Sequence, residues 1–564
     1  MSEKQLKKII IDPITRIEGH LRIEVEVDEN NIVRESWASG MLFRGIETIL
    51  KGRDPRDTAL IAQRICGVCT NSHYRASIKA TENAYGIKIP NNAKIIRDLV
   101  SLSLFVQDHI VHYYHLHSLD FVDVTSALNA DIEKAVDEAC RYSDSPYRNS
   151  IPHLTYVKEK LTNFVCAGRL GLFANGYWGH SAYKFTPEQN LIHMAHYLEA
   201  LEIQRELSKA IAIFGGKTPH PQYMVVGGIT SVVDMLNPQR INDFLFIMKN
   251  THDFITRAYI PDMKMLVKMY QEDIQAGYGR GLGNFMSVGG FDFGDGQRLF
   301  CDGVIQDFDF TKTDSFDINK ITEEVTRSWY KGKGKHTPIE NDTEPFYTDL
   351  NNDGSLKTQG KYSWIKTPRY DDMPMEVGPL SRMLVGYVNN SKTIKPYMEN
   401  FLDENNLKLK DFCTTIGRNV ARGLESLMVC EFIFDIVSDL LENIKYYNED
   451  TWSKYDFETL PNNADGYGLF EVPRGVLCHF INIEDKKVAN YQAVVPTTWN
   501  ASPKDEYGLR GAYEEALIGI QIKDTSKPLE VLRVIHSFDP CLACAVHIID
   551  TKGKELTQFK VRTQ

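Results

Sequence analysis

The stretch from residue 92 to residue 128, NAKIIRDLVSLSLFVQDHIVHYYHLHSLDFVDVTSAL, decides the fold class. It is apolar almost all round and contains neither proline nor glycine. A helix that is apolar on every side is typical of the interior of a large protein. Further helical patterns follow near residues 154–166, 186–213, 238–274 and 393–448. The sequence therefore predicts a large buried helical core.

Strand patterns flank this helical part at both ends of the chain. Residues 20–36, HLRIEVEVDENNIVRES, alternate between apolar and polar side chains, which is typical of two strands joined by a turn. After residue 465, short apolar segments at 468–472, 475–484 and 491–499 resemble strands. We therefore expect an α+β fold that is mainly α-helical, with small N-terminal and C-terminal β regions.

Residues 1–564 are expected to form a single folded unit with several parts. A polar stretch from about 312 to 376 shows no clear periodicity, so we expect an irregular insertion at the surface. The expected parts are an N-terminal β region (1–60), a mainly helical core (61–465), a C-terminal α+β part (466–547) and a C-terminal extension (548–564).

Composition and charge exclude several classes of protein. The chain is 43% apolar and 25% charged, as in ordinary globular proteins, and its net charge of −11 argues against nucleic acid as a partner. The apolar run at residues 9–11 is too short for a signal peptide, and no segment approaches 18 uncharged apolar residues. Ten cysteines in 564 residues are too few for a disulfide scaffold. Metal binding or redox chemistry is the better explanation for them.

Two Cys-x-x-Cys motifs stand near opposite ends of the chain. The first is RICGVCTNSH at 64–73, and the second is DPCLACAVH at 539–547. Four soft sulfur ligands favour zinc, nickel, Cu(I) or iron-sulfur. About 470 residues separate the motifs, and closing such a loop costs roughly 5 kcal/mol, so the whole fold must bring them together. This favours a buried catalytic metal site, with a structural zinc site or a disulfide-exchange pair as the alternatives.

Both motifs resemble the two signature motifs of the large, catalytic subunit of nickel-iron uptake hydrogenases. Other blocks of the sequence agree with this family, and together they span the chain from end to end. They are DPITRIEGHLRIEVEVD (12–28), FRGIE (43–47), DHIVHYYHLHSLDFVD (108–123), GGKTPHPQ (215–222), EVGPLSR (376–382), VPRG (472–475) and VVPTTWN (494–500).

The resemblance implies a nickel-iron centre held by four thiolates. Cys66 and Cys541 would be terminal ligands of nickel, and Cys69 and Cys544 would bridge nickel to iron. The iron would also carry one carbon monoxide and two cyanides. Selenium-containing relatives have selenocysteine at position 541, so cysteine there implies the plain nickel-iron type. His73 would donate to a bridging sulfur.

The same resemblance implies which residues surround the metals. Arg474 would lie over the site and reach the open nickel position and one cyanide, while Thr497, next to Pro496, would bind the other cyanide. Asp108 and Asp539 would pair with Arg474. Without the resemblance, Arg474 after a proline would be structural, and Asp108 with the neighbouring histidines would be satisfied polar groups of a helix bundle.

The resemblance also implies residues for proton transfer and for magnesium binding. Glu18 would be the first station of the proton path, beside Cys541, because splitting H2 requires a base within hydrogen-bond reach. Its alternative is a surface ion pair with Arg16. Mg²⁺ would be bound by Glu47, the His547 side chain and the Ala493 carbonyl, although an imidazole ligand is less usual for this ion.

The resemblance also implies an activity and a set of partners. The chain would oxidise H2 to protons and electrons and pass the electrons to an iron-sulfur small subunit, because it has no further cysteine set for a cluster of its own. A membrane cytochrome b or quinone-linked acceptor would follow. The location would be the periplasmic side of the cytoplasmic membrane, reached and held through the partner. Nickel chaperones and a maturation protease are also implied.

The C-terminal extension is expected to be removed. Residues 548–564 follow the histidine at which mature subunits of this family end, so cleavage between His547 and Ile548 is expected, with a harmless surface extension as the alternative. An uncut tail would keep the strand bearing Cys541 and Cys544 from closing over the metals.

Two classes other than hydrogenases fit parts of the pattern. The related electron-transfer subunit of respiratory NADH:quinone oxidoreductase lacks the four cysteines, which argues against it here. A zinc-stabilised assembly protein would need the thiols but not Glu18, Arg474 or VVPTTWN. The other six cysteines (140, 166, 301, 413, 430 and 478) show no metal-site pattern and are expected to be buried small hydrophobes.

Overall fold

The computed structural model describes residues 6–168, 171–173, 176–292, 298–340, 344–446 and 449–542. Helices supply most of the regular structure in this part of the chain. The α-helices are α1 (Ile46–Leu50), α2 (Thr58–Ala62), α3 (Ser72–Tyr85), α4 (Asn91–Val111), α5 (Val124–Ala127), α6 (Ile132–Tyr142), α7 (Ile151–Cys166), α8 (Pro187–Gly215), α9 (Val232–Met235), α10 (Pro238–Phe254), α11 (Ile260–Met269), α12 (Gln271–Gln275), α13 (Pro379–Val388), α14 (Lys395–Glu404), α15 (Leu409–Phe412), α16 (Thr415–Lys445), α17 (Pro496–Asn500), α18 (Ala512–Leu517) and α19 (Leu529–Ser537).

The strands form small antiparallel sheets. They are β1 (Lys7–Ile11), β2 (Leu21–Val27), β3 (Val33–Gly40), β4 (Met224–Val225), β5 (Gly228–Ile229), β6 (Phe285–Asp292), β7 (Arg298–Ile305), β8 (Ile321–Glu324), β9 (Lys335–His336), β10 (Thr367–Tyr370), β11 (Ala464–Val472), β12 (Gly475–Glu484) and β13 (Lys487–Val494). The three-stranded sheets have the orders β1-β2-β3, β10-β8-β9 and β11-β12-β13, and β4-β5 and β6-β7 are two-stranded. The predicted α+β class with terminal β regions is confirmed.

The helical core forms around α4, which packs against α8 and α16. Side chains and prolines define where the long helices begin. Thr186 and Gln189 form a capping box at the start of α8, which has a proline in its first turn, and Thr414 caps α16 by accepting from the amide of Gly417. None of the helices in the described part of the chain has the length and hydropathy needed to cross a bilayer.

The predicted helix over 92–128 is interrupted in the structure. Helix α4 ends at Val111 and continues as a π-helical turn, His112–His117, and a short 3-10 turn. Asp123 then caps α5 by accepting from the amides of Thr125 and Ser126. The apolar pattern predicted burial correctly, but it did not predict the change to π-helical and 3-10 turns after Val111 or the new helix that Asp123 begins.

The expectation of irregular surface at 312–376 is wrong in part. The segment contributes three short strands, and Trp329, Tyr330, Trp364 and Ile365 belong to a buried cluster with the N-terminal sheet. The polar face of β2 is covered too, because Arg22 donates to the carbonyl of Gly354 at 2.6 Å. The polar composition of this segment reflects buried hydrogen bonds as well as exposure.

Two smaller expectations also need correction. Residues 496–500 form helix α17 and not the end of a strand, because Pro496 occupies the first helical position and cannot donate to a ladder. Of the six remaining cysteines, Cys413, Cys430 and Cys478 are buried, but Cys140 and Cys166 are exposed and Cys301 is half-buried. Burial was therefore predicted correctly for three of them.

Candidate metal centre

Three cysteines from the two ends of the chain meet in the interior. Cys66 follows a 3-10 turn after α2, Cys69 lies just before α3, and Cys541 follows α19. The Sγ atom of Cys541 lies 3.3 Å from Sγ of Cys66 and 4.0 Å from Sγ of Cys69, and all three residues are buried. Cys544, the fourth predicted ligand, lies outside the described residues, as does His547.

The chemistry of this sulfur set fits a soft metal. The sulfurs lie within 4.8 Å of one another, whereas a disulfide would need about 2.05 Å. Thiolates converging at this spacing repel one another unless a cation lies between them. The amides of Val68 and Cys69 both point at Sγ of Cys66, at 3.3 and 3.1 Å, which stabilises a thiolate there. A buried thiolate-bound metal centre is therefore consistent with the site.

The segment around Glu18 pairs directly with the second motif. The amide of Leu542 donates to the carbonyl of Glu18 at 2.8 Å, and the amide of Glu18 lies 3.3 Å from the carbonyl of Pro540. This pairing places Oε2 of Glu18 3.3 Å from Sγ of Cys541. Glu18 is thus half-buried beside a predicted metal ligand. Arg16 does not pair with it; the Arg16 guanidinium contacts Asp120 and the carbonyl of Leu116.

Arg474 lies at the two-residue turn between β11 and β12, in contact with two buried aspartates. Its Nη1 donates to Oδ2 of Asp108 at 2.8 Å, and its Nε lies 3.1 Å from Oδ2 of Asp539. Asp539 adopts φ +58°, a left-handed conformation that turns the chain from α19 toward Cys541. Nη1 of Arg422 lies 3.7 Å from the same oxygen of Asp539.

The buried charges of Arg474, Asp108 and Asp539 shift the pKa values of Asp108 and Arg474. Burial raises the pKa of Asp108 to about 7, although the Arg474 guanidinium opposes this, and the charge of Asp539 raises it further. Burial lowers the pKa of Arg474, but the two aspartates outweigh it and raise that pKa well above its ordinary value. The guanidinium therefore stays charged beside the sulfurs, with Asp108 and Asp539 as its carboxylate partners.

His73 joins a chain of buried side chains that leads away from the sulfurs. Its Nδ1 lies 2.9 Å from Nε2 of His479, and Nδ1 of His479 lies 2.6 Å from the hydroxyl of Tyr491. Burial lowers the pKa of His73 to about 4, so the imidazole is neutral at physiological pH. The tautomer of His73 is therefore coupled to His479 and Tyr491. Sequence reasoning missed both of these residues.

Thr497 and Pro496 stand at the start of α17, against the cysteine site. The hydroxyl of Thr497 accepts from the amide of Cys541 at 3.2 Å. Both residues line a small cavity that Arg474, His73 and Cys541 also border. The residues predicted to surround the cyanide ligands are therefore brought to one small cavity.

The predicted magnesium ligands Glu47 and Ala493 also meet. Oε1 of Glu47 accepts from the amide of Ala493 at 2.9 Å. The ammonium of Lys366, which sequence reasoning missed, lies 3.0 Å from the same carboxylate and 3.7 Å from that of Glu323. The Glu323 and Glu47 charges raise the pKa of Lys366 against the effect of burial. Two carboxylates lie close together here, and carboxylate oxygens are the ligands that a hard cation prefers.

Comparison with known proteins identifies the family. The family of nickel-dependent hydrogenases matches residues 44–547, and a HoxL-like family matches residues 8–37. The chain is 46% identical to the quinone-reactive Ni/Fe-hydrogenase large chain of Wolinella succinogenes over 98% of both chains. It is 42% identical to the uptake hydrogenase large subunit of Rhizobium leguminosarum bv. viciae, over 99% of this chain and 98% of that one.

Solved structures agree with these sequence relatives. The Ni-Fe-Se hydrogenase of Desulfovibrio vulgaris Hildenborough superposes with a TM-score of 0.78 and 33% sequence identity, covering 96% of this chain and 100% of that one. The fold and the buried cysteine site therefore define the large subunit of a nickel-dependent hydrogenase. The chain belongs to this family, and it is an oxidoreductase that oxidises H2. The predicted family, enzyme class and activity are confirmed.

Proposed function

We propose that Cys66, Cys69, Cys541 and Cys544 hold the nickel-iron centre in the arrangement that the sequence implies. Cys66 and Cys541 would each hold nickel alone, and Cys69 and Cys544 would hold nickel and iron together. The observation that carries the proposal is the convergence of three buried thiols, 3.3 and 4.0 Å apart, from opposite ends of the chain. When bound, this centre supplies the redox chemistry by which H2 yields two protons and two electrons.

The protein groups around the cavity hold the diatomic ligands and move the proton. Arg474 and Thr497 border the same cavity, and each would bind one of the two cyanides of the iron, which would also carry one carbon monoxide. Glu18 accepts a proton at Oε2 from the side of Cys541, 3.3 Å away. Asp108 and Asp539 hold the charged guanidinium of Arg474 in place. His73 orients a bridging sulfur.

We also propose a Mg²⁺ site formed by Glu47, the Ala493 carbonyl and the His547 side chain. Its support is the position of the Glu47 and Glu323 carboxylates, which both lie near Lys366. Glu47 and Ala493 already contact each other through the Ala493 amide. The ion would tie the segment that follows Cys541 to the β11-β12-β13 sheet.

Electrons leave through a second chain in this proposal. The relatives are named large chains and large subunits, and the Wolinella relative is named quinone-reactive. We infer an iron-sulfur small subunit as the partner, followed by a membrane cytochrome b or another quinone-linked acceptor. Association with the periplasmic side of the cytoplasmic membrane then depends on the partner.

Metal analysis with infrared spectroscopy tests the proposed centre. Purified from its source, the chain is expected with a smaller iron-sulfur subunit, about one nickel, and bands of iron-bound carbon monoxide and cyanide. Cys541→Ser should lose nickel, because a hydroxyl is a poor soft-metal ligand. Cys413→Ser, a buried cysteine outside the cluster, is the control. Zinc alone, or active protein without these bands, would refute the assignment.

Maturation requires its own test. We propose that nickel chaperones load the site and that a protease then cuts between His547 and Ile548, which is also where the match to the hydrogenase family ends. Cutting frees a new terminus only three residues after Cys544, so the second motif closes over the metals. Mass spectrometry of active enzyme should show a large subunit that ends at His547. Full activity with residues 548–564 retained would contradict this.

A further inference from the structure

A fully buried arginine, Arg382 on α13, connects the backbone next to Arg474 with the interior of the helical core. Its Nη1 donates to the carbonyl of Val472 at 2.9 Å, and its Nη2 donates to the carbonyl of Pro473 at 3.0 Å. These two carbonyls belong to the peptides that immediately precede Arg474. Arg382 therefore holds both peptide planes at the turn from which the Arg474 side chain extends.

The backbone of this turn is also held by its neighbours on both sides. Val472 of β11 pairs with Gly475 of β12, so Pro473 and Arg474 form a two-residue connection. On the other side, a Cβ added at Gly378 would lie 3.1 Å from the carbonyl oxygen of Arg474. Gly378 precedes α13, so the start of the helix that bears Arg382 also packs against the turn.

The same guanidinium also reaches toward the helix that carries Asp108. Nε and Nη2 of Arg382 bind both carboxylate oxygens of Glu425, at 2.9 and 2.6 Å. Oε1 of Glu425 also accepts from Nε2 of His109, at 2.8 Å, and His109 follows Asp108 on α4. Burial lowers the pKa of His109 to about 4, so this ring is neutral and donates from Nε2.

A second carboxylate completes the contacts of Arg382. Oε2 of Glu471 accepts from Nη1 at 2.7 Å, and the other oxygen of Glu471 accepts from the amide of Val288 on β6. Arg382 thus contacts two glutamates and two carbonyls with no solvent exposure. Satisfying this many partners requires the planar fork of an arginine, because an ammonium offers only three donors from one point.

We propose that Arg382 is a positioning residue for H2 oxidation: it fixes the turn before Arg474 and the helix turn bearing Asp108, and so sets how the Arg474 guanidinium meets Asp108. The proposal rests on the proposed role of Arg474. Arg382 itself does not border the cavity by the cysteines, so its effect is indirect. A side chain displaced by about 1 Å in an active site costs about 10²-fold in rate.

The test is Arg382→Lys in the complete heterodimer, with the infrared bands and nickel content measured beside turnover. We expect turnover to fall about 10- to 100-fold while nickel, iron and the KM for H2 remain close to wild type. Arg97→Lys is the matched control. Arg97 lies on α4 and, like Arg382, is a buried arginine that binds both oxygens of a glutamate, here Glu82, and two carbonyls. It does not border the cysteine cavity. Its turnover should stay within about twofold of wild type.

A double-mutant cycle separates positioning from general damage. If Arg382 acts through Arg474, adding Arg382→Lys to Arg474→Lys should cost little further activity, whereas independent effects would multiply. Glu425→Gln is the second variant if Arg382→Lys does not fold, and it should show a smaller loss with the same non-additivity. Multiplying losses, or an Arg382→Lys enzyme as active as Arg97→Lys, would overturn the proposal. Failure of the proposed function would give a different result, because the wild-type protein itself would then lack nickel and the infrared bands.

Discussion

Replacing Glu18 by glutamine is expected to suppress exchange of H2 with solvent deuterons by about 10³-fold, within the range attributed to positioned acid-base groups. The physical reason is that Oε2 of Glu18 lies 3.3 Å from Sγ of Cys541, close enough to take a proton, and an amide does not ionise. Glutamine has the same shape, so nickel content and the infrared bands should be retained. Isotope exchange followed by mass spectrometry measures the effect.

The control for this substitution is Glu35→Gln. Glu35 is also half-buried near the N-terminal sheet, but its carboxylate pairs with Lys504 and Arg510 and not with a cysteine. Its exchange rate should stay near that of wild type. Normal exchange in Glu18→Gln would mean that protons leave by another route and that the role of Glu18 is only structural. Loss of nickel in that variant would mean that Glu18 supports the metal site.

The broad fold could be predicted from the sequence because burial leaves a periodic pattern. The apolar run at 92–128 and the alternating run at 20–36 predicted a helical core with flanking strands. The exact helix ends could not be predicted, because the change from α4 to a π-helical turn at His112 leaves the apolar pattern unbroken. The burial of residues 312–376 was missed for a different reason. Its polar groups are satisfied by partners such as Arg22, which is more than 300 residues away in sequence.

Some residues of the candidate site could likewise be predicted from the sequence, and others could not. The cysteines could be found from the sequence because Cys-x-x-Cys is a local motif, and the family resemblance added Glu18, Arg474 and Asp108. Arg382 stood in the block EVGPLSR but was given no role. Lys366 and His479 were missed, because a lone lysine or histidine has no local pattern that distinguishes burial from exposure. Only the fold shows that each lies buried against a residue of the site.

The charges around Arg474 lead to the second large prediction. One guanidinium meets two buried aspartates in two directions, Asp108 at Nη1 and Asp539 at Nε. Breaking a buried pair by removing one partner costs about 3–5 kcal/mol, so Arg474→Ala would combine a catalytic with a structural loss. Lysine keeps the positive charge and avoids that penalty. The informative substitution is therefore Arg474→Lys.

We expect Arg474→Lys to lower H2 oxidation by about 10²-fold or more, with nickel and iron retained. A point ammonium on a flexible stem does not reproduce a fork that contacts Asp108 and Asp539 while facing the cavity beside Cys541. Because Arg474 is also proposed to face a cyanide, the cyanide bands should shift. Turnover and infrared spectra of Arg474→Lys and Arg97→Lys, compared side by side, provide the measurement. Near-normal turnover with unshifted bands would show that Arg474 only holds the β11-β12 turn against its two aspartates.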